Sequence, residues 1–156
     1  MRKLLLVIKM IINNRLKYCR EEQELTQKEL GVIFGVHEAT ISGWENAHDS
    51  IPLKKLVKFC NMYNYSLDYV LGLSDHNLFY ENSKLDIKLI STNLKRIRKE
   101  LKFTQIKMAE ILEISQARYC NYENEKFLPT TDILYTLAKN LKLSVDKIIG
   151  RKEKRV

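Results

Sequence analysis

The chain is poor in turn-formers. Five glycines and two prolines in 156 residues cannot supply a tight turn about every ten residues, which argues against an all-β fold. Cysteine is scarce and odd in number, at three. A disulfide framework is therefore not expected, and a reducing, cytoplasmic compartment fits best. No apolar run reaches the roughly 18–20 residues that cross a bilayer, so no membrane partner is expected. There is no glycine-rich phosphate loop, no nucleophile elbow and no supported pair of carboxylates, and His37, His48 and His76 lack metal-ligand spacing. The expectation is no enzyme, no metal and no cofactor. Met1-Arg2-Lys3 followed by Leu4 to Ile8 imitates a signal peptide. Lys9 interrupts it, however, and no small-x-small cleavage site follows before Asn13.

What is present is a composition able to fold, with 45% hydrophobic residues. It is neither disordered nor collagen-like. Lysine and arginine number 27 against 19 acidic residues, for a net charge of +8. A basic chain of this kind points first to an anionic partner, most often nucleic acid, with solubility alone as the other explanation of the total.

The chain repeats itself. Shifted by 78 residues it aligns with itself over Ile12–Gly72 and Ile90–Gly150, with 15 identities in 61 positions. Leu16-Lys17 meets Leu94-Lys95, Arg20 meets Arg98, Thr26-Gln27 meets Thr104-Gln105, and Glu45-Asn46 meets Glu123-Asn124. Ser66-x-Asp68 meets Ser144-x-Asp146, and Gly72 meets Gly150. Two copies of one unit follow. The expected organisation is an N-terminal extension (1–11), a first domain (12–73), a linker (74–87, loop or short helix), a second domain (88–150) and a basic tail (151–156).

Each copy is expected to be all-α, with five short helices. In the first these cover 13–22, 27–34, 38–46, a stretch after Pro52 and 67–71; in the second, 88–100, 105–112, 116–124, 131–140 and 145–149. Thr26 and Glu29 form a capping box at the start of the second helix, and Gly35 ends it. Val36 and His37 alone separate it from the third helix, a helix-turn-helix pattern. The second copy carries Glu113 in place of Gly35, so its corner lacks a residue suited to left-handed backbone.

The runs Leu25-Thr26-Gln27-Lys28-Glu29-Leu30-Gly31 and Gly35 through Asn46 resemble the Cro/C1-type helix-turn-helix family, the lambda-repressor-like domains of phage repressors and bacterial regulators. Phe103-Thr104-Gln105 and Ile114 through Asn124 carry the same resemblance in the second copy. It implies two tandem five-helix DNA-binding domains and a sequence-specific regulator, a repressor above all, acting on double-stranded DNA. It also implies that Gln27 and Gln105 clamp phosphates at the N-terminus of the second helix, a natural anion site. Two positions on, Lys107 attracts phosphate where Glu29 repels it.

By the same resemblance the third helix reads the major groove. The positions implied are Glu38, Ala39 and Gly43 in the first copy, where Thr40 could reach a phosphate, and Gln116, Ala117 and Asn121 in the second, with Arg118 beside them. Gln and Asn pair with adenine, Arg with guanine or phosphate, and Glu with the cytosine amino group. Arg20–Glu45 and Arg98–Glu123 are implied to be structural ion pairs that tie the first helix to the end of the third. Trp44 and Tyr122 are expected to be packed, as are Cys19 and Cys60, with Cys120 more exposed on the recognition helix.

Charge divides unevenly. Residues 12–73 hold seven basic and eight acidic side chains, whereas residues 84–156 hold seventeen and nine. Three readings stay open. Both copies bind DNA as a built-in pseudo-dimer; or copy two binds and copy one serves as a dimerisation or protein-partner module; or the chain is an interaction adaptor on degenerate domains. Charge and the recognition-helix residues favour the second. Residues 1–11 fit neither repeat: either translation starts at Met10, or Leu4–Ile8 is an apolar extension covered by a homodimer or protein partner.

Overall fold

The computed structural model of the chain describes residues 13–155. The expectations for residues 1–11 lie outside them. Among the described residues there are ten helices and one isolated bridge, Tyr80 with Glu153. The first domain comprises α1 (Leu16–Glu22), α2 (Gln27–Phe34), α3 (Glu38–Glu45), α4 (Leu53–Tyr63) and α5 (Leu67–Val70). The second comprises α6 (Ile87–Glu100), α7 (Gln105–Leu112), α8 (Gln116–Glu123), α9 (Thr131–Leu141) and α10 (Val145–Ile148). The fold is all-α, as two tandem lambda-repressor-like units. Among the described residues no helix is long and apolar enough to cross a membrane.

The first helix starts later than its sequence suggests. Asn14 Oδ1 accepts from Leu16 N at 3.0 Å, and Arg15 N donates to Val70 O at 2.6 Å, which commits these residues to a cap and a cross-link. Its counterpart α6 gains a full turn or more, because Asp86 Oδ1 accepts from Lys88 N and Leu89 N at 3.0 and 3.3 Å. An aspartate there satisfies amides that a helix start otherwise leaves unpaired.

Matched positions of the two copies are buried in the same way. Leu16, Leu30, Phe34, Ile41, Trp44, Leu56, Phe59 and Leu67 pack in the first domain. Leu94, Met108, Leu112, Tyr119, Tyr122, Leu134, Leu137 and Val145 take their places in the second. Phe34 stacks at a tilt on Trp44, with ring centroids 6.3 Å apart. Residue size differs at several of these positions, Phe34 against Leu112 and Ile41 against Tyr119, and both members of each pair are buried. Cys19 and Cys60 belong to this core. Burial pushes the Cys19 thiol up to about 12 and the Cys60 thiol well above its ordinary value, so both are inert.

The linker forms no helix. The tail runs antiparallel beside it: Glu81 N donates to Lys152 O at 2.7 Å and Lys154 N to Phe79 O at 2.8 Å. The first residue of the basic tail (151–156) turns inward. Arg151 is buried, pairs with Asp146 at 2.7 Å, and donates to Tyr65 O and Asn61 Oδ1.

Candidate nucleic-acid interface

Each helix-turn-helix is built from its caps inward. Thr26 Oγ1 accepts from Glu29 N at 3.1 Å and Glu29 Oε2 accepts from Thr26 N at 2.7 Å, closing the capping box. In the second domain Thr104 Oγ1 accepts from Lys107 N at 3.1 Å. Lys107 has no carboxylate to return the bond, so only half the box forms. Both corners then turn through left-handed backbone, with φ of 66° at Gly35 and 55° at Glu113. Val36 N donates back to Gly31 O, and Ile114 N to Ala109 O. The helices α3 and α8 open on caps of different chemistry. His37 Nδ1 accepts from Ala39 N at 3.0 Å, and Ser115 Oγ accepts from Arg118 N at 3.1 Å. The histidine cap was not anticipated, since histidine is not among the usual capping residues.

An arginine and a glutamate lock each recognition helix to the rest of its domain. Arg20 Nη2 meets Glu45 Oε1 at 2.7 Å, with the two side chains 7% and 1% exposed. Arg98 Nε meets Glu123 Oε1 at 2.6 Å, with 14% and 2% exposed. Each arginine also donates to a carbonyl in the turn before the second helix, Leu25 O or Phe103 O. Burial alone pushes Glu123 up. The hydrogen bonds from Arg98, Gln105 and Tyr119 outweigh it and hold the carboxyl below its ordinary range. Burial, and then Glu123, raise the Tyr119 hydroxyl, which stays a donor.

The two glutamines sit on these carboxylates. Gln27 Nε2 donates to Glu45 Oε1 at 3.3 Å and Gln105 Nε2 to Glu123 Oε2 at 3.0 Å. One carboxylate thus orients both the recognition helix and the amide at the mouth of the preceding helix.

The outward faces of α3 and α8 differ. Gln116, Ala117 and Arg118 are exposed and Asn121 is half-exposed, one turn on. Arg118 does not simply stand beside the other two. Its Nε donates to Tyr122 Oη at 2.9 Å, and it borders the groove between the domains. On α3, Glu38 and Ala39 are exposed, and Thr40 and Gly43 half-exposed. The space beside Gly43 belongs to an acid that the sequence did not flag: a Cβ there would lie 3.2 Å from Asp49 Oδ2. Asp49 follows the recognition helix in an irregular turn, so periodicity gives no sign of where it points. Lys107 is exposed on α7, while Glu29 is spent in its capping box. Cys120 is half-exposed and accepts from Asn124 Nδ2 at 3.1 Å. Among the described residues no group of His, Cys, Asp and Glu could hold a metal ion.

Two helices joined at a tight corner, the second held with an exposed polar face, define a helix-turn-helix protein, here with the device made twice. The helix-turn-helix family is matched separately by each half: one helix-turn-helix domain covers residues 92–153 and another covers residues 16–70. The chain is 36% identical over 61 residues to the uncharacterized HTH-type transcriptional regulator YobD of Bacillus subtilis (strain 168), covering 39% of this chain and 54% of that one. It is 37% identical over 62 residues to the cryptic phage CTXphi transcriptional repressor RstR of Vibrio cholerae, covering 40% and 55%. A third relative, the HTH-type transcriptional regulator ImmR of Bacillus subtilis (strain 168), is 29% identical over 91 residues, covering 58% and 71%. The chain spans about half the length of the first two of these relatives. It belongs to the Cro/C1-type, or XRE, family of helix-turn-helix regulators.

Proposed function

We propose that the chain is a sequence-specific, double-stranded-DNA-binding transcriptional regulator, a repressor, that reads the major groove mainly through α8. The observation that carries this is the face of α8. Gln116 and Asn121 stand one turn apart on a helix locked by Arg98–Glu123, while Gln105 is oriented at the start of α7 by the same carboxylate. Gln and Asn side chains pair with adenine N6 and N7. The second N–H of the Gln105 amide and the exposed Lys107 supply phosphate contacts. The basic excess, seventeen against nine over residues 84–156, supplies the salt-dependent part of the affinity. Repression is favoured by the relative named as a transcriptional repressor.

A selection from genomic DNA with the purified chain tests this. The expected result is enrichment of a defined sequence motif read by α8. Gln116→Ala and Asn121→Ala each relax it at one base position, by about 1–3 kcal/mol. No enrichment at low salt would reject DNA binding and leave the interaction adaptor. The exposed acids Glu38 and Asp49 of the first domain favour a protein partner in that case.

A further inference from the structure

A local two-fold axis relates the contacts between the two domains. Its mark is reciprocity. Asp68 accepts from Val145 N at 2.7 Å and from Ser144 Oγ; Asp146 accepts from Leu67 N and Asp68 N, each at 2.9 Å. Asp68 and Asp146 are equivalent positions of the repeat, and such self-complementary contacts are what a two-fold produces. The loop that follows α3 meets the start of α9 as well. Ser50 Oγ donates to Asp132 Oδ1 at 2.8 Å, and Thr131 Oγ1 donates to Ile51 O at 2.6 Å. Residues 50–55 and 128–133 form the two walls of the groove between the domains, and Arg118 of α8 reaches it.

Rotation about an axis preserves height along that axis. A face of α8 turned along the axis is therefore matched by a face of α3 turned the same way. A duplex carries its own two-folds, and protein symmetry of this kind matches half-sites one helical turn apart. In this chain the symmetry is built into one polypeptide, and the two faces differ. At matched positions α8 carries Gln116 and α3 carries Glu38, both exposed. The phosphate device is present on both sides, since Gln27 repeats the geometry of Gln105.

We infer that one chain acts as a built-in pseudo-dimer that engages two unequal half-sites on one face of the duplex, with α8 reading the stronger and α3 the weaker, where Glu38 selects cytosine. A carboxylate accepts from cytosine N4, whereas a glutamine pairs with adenine. The first domain is near-neutral, with seven basic and eight acidic residues over 12–73, and Asp49 lies beside Gly43; its half-site is therefore the weaker. A homodimer needs a palindrome; this chain does not. The inference rests on α8 binding DNA.

The test is selection from randomised duplexes with the full chain, followed by hydroxyl-radical footprinting and sedimentation of the complex. Expected are one chain per site and two different motifs centred about 10 base pairs apart. Inserting five base pairs between the motifs turns the halves to opposite faces and lowers affinity about tenfold or more. Glu38→Gln moves one position of the weaker motif from cytosine toward adenine and leaves the stronger motif unchanged. A footprint of one groove per chain, an insertion tolerated within about twofold, or a Glu38→Gln motif identical to that of the parent overturns the inference. The α8 reading fails separately, if Gln116→Ala and Asn121→Ala select the parent motif. Recovery of no motif at low salt overturns both.

Discussion

Asp68 and Asp146, 78 positions apart, each cap the helix in which the other lies. The N-termini of α5 and α10 meet head to head, and each carboxylate satisfies backbone N–H groups that the opposite helix leaves unpaired. The symmetry breaks at the cation. Asp146 pairs with Arg151, which is buried beside it, while the position matching Arg151 in the first copy is Leu73. Among the described residues Asp68 therefore lies in the interface without a cation of its own. Burial first, and then the charge of Asp146, push its carboxyl up to about 7.

That asymmetry predicts a pH effect. A carboxyl raised in the folded state stabilises the fold fully below its unfolded pKa of about 3.9, and the contribution is lost as pH rises toward its folded value. Asp68→Asn resembles the protonated form and removes this loss. Urea unfolding from pH 4 to pH 8 should show the parent losing stability relative to Asp68→Asn across that window, by at most about 1.4 kcal/mol for each pH unit. A constant difference across the range would show that Asp68 is not the group responsible.

The corner of the second domain predicts a gain. Glu113 holds φ of 55° without the freedom of the glycine at the matching Gly35. Glu113→Gly should stabilise the domain by about 1 kcal/mol, and Gly35→Ala should cost a similar amount in the first. Nothing lies within 4 Å of a Cβ at Gly35, so that cost is conformational alone. Thermal unfolding of the two variants checks both signs.

Much of this architecture was readable in the sequence because it depends on local chemistry that occurs twice. Thr26 and Thr104 mark helix starts, Gly35 marks a corner, and the family resemblance implied that the repeated Arg and Glu positions pair. The reciprocal aspartates were visible as an identity, Ser-x-Asp in both copies, but their role was not. A carboxylate that caps a helix 78 residues away looks like one capping its own. Arg151 misled for a related reason: it sits in a run of basic residues, and composition cannot separate the one that turns inward. Asp49 lies in a turn without periodicity, so its place beside Gly43 had no signal. The unequal faces of α3 and α8 were readable, because they are identities of residues at aligned positions.

Lys107 should separate stability from binding. It occupies the place of Glu29, which completes the capping box in the first domain. Lys107→Glu restores that chemistry and puts a negative charge at a helix N-terminus, which should stabilise α7 by about 0.5–1 kcal/mol. The same change repels phosphate. DNA affinity should fall, and the slope of log K against log salt should become shallower by about one. Calorimetry and salt-dependent titration on the one variant give the two readings. A rise in affinity would exclude Lys107 from the phosphate contacts.

Glu123 joins the scaffold to the reading head, so its loss should reach further than a stability effect. Its side chain is 2% exposed and accepts from Arg98, Gln105 and Tyr119. Glu123→Ala leaves the Arg98 guanidinium half-buried without its partner, at a cost of about 3–5 kcal/mol. Glu123→Gln keeps the volume and an acceptor but gives up the charge, and is the better probe. With it Gln105 loses its charged anchor, and the start of α7 and the face of α8 lose a common reference. Gln105→Ala should therefore weaken DNA binding strongly in the parent and little in Glu123→Gln, a non-additive cycle of about 0.5–3 kcal/mol. The matching cycle of Gln27 and Glu45 in the first domain should show weaker coupling to DNA affinity, though Glu45→Ala strands Arg20 at a comparable cost in stability. Strict additivity at Gln105 and Glu123 would mean that the glutamine reaches its phosphate without the carboxylate's help.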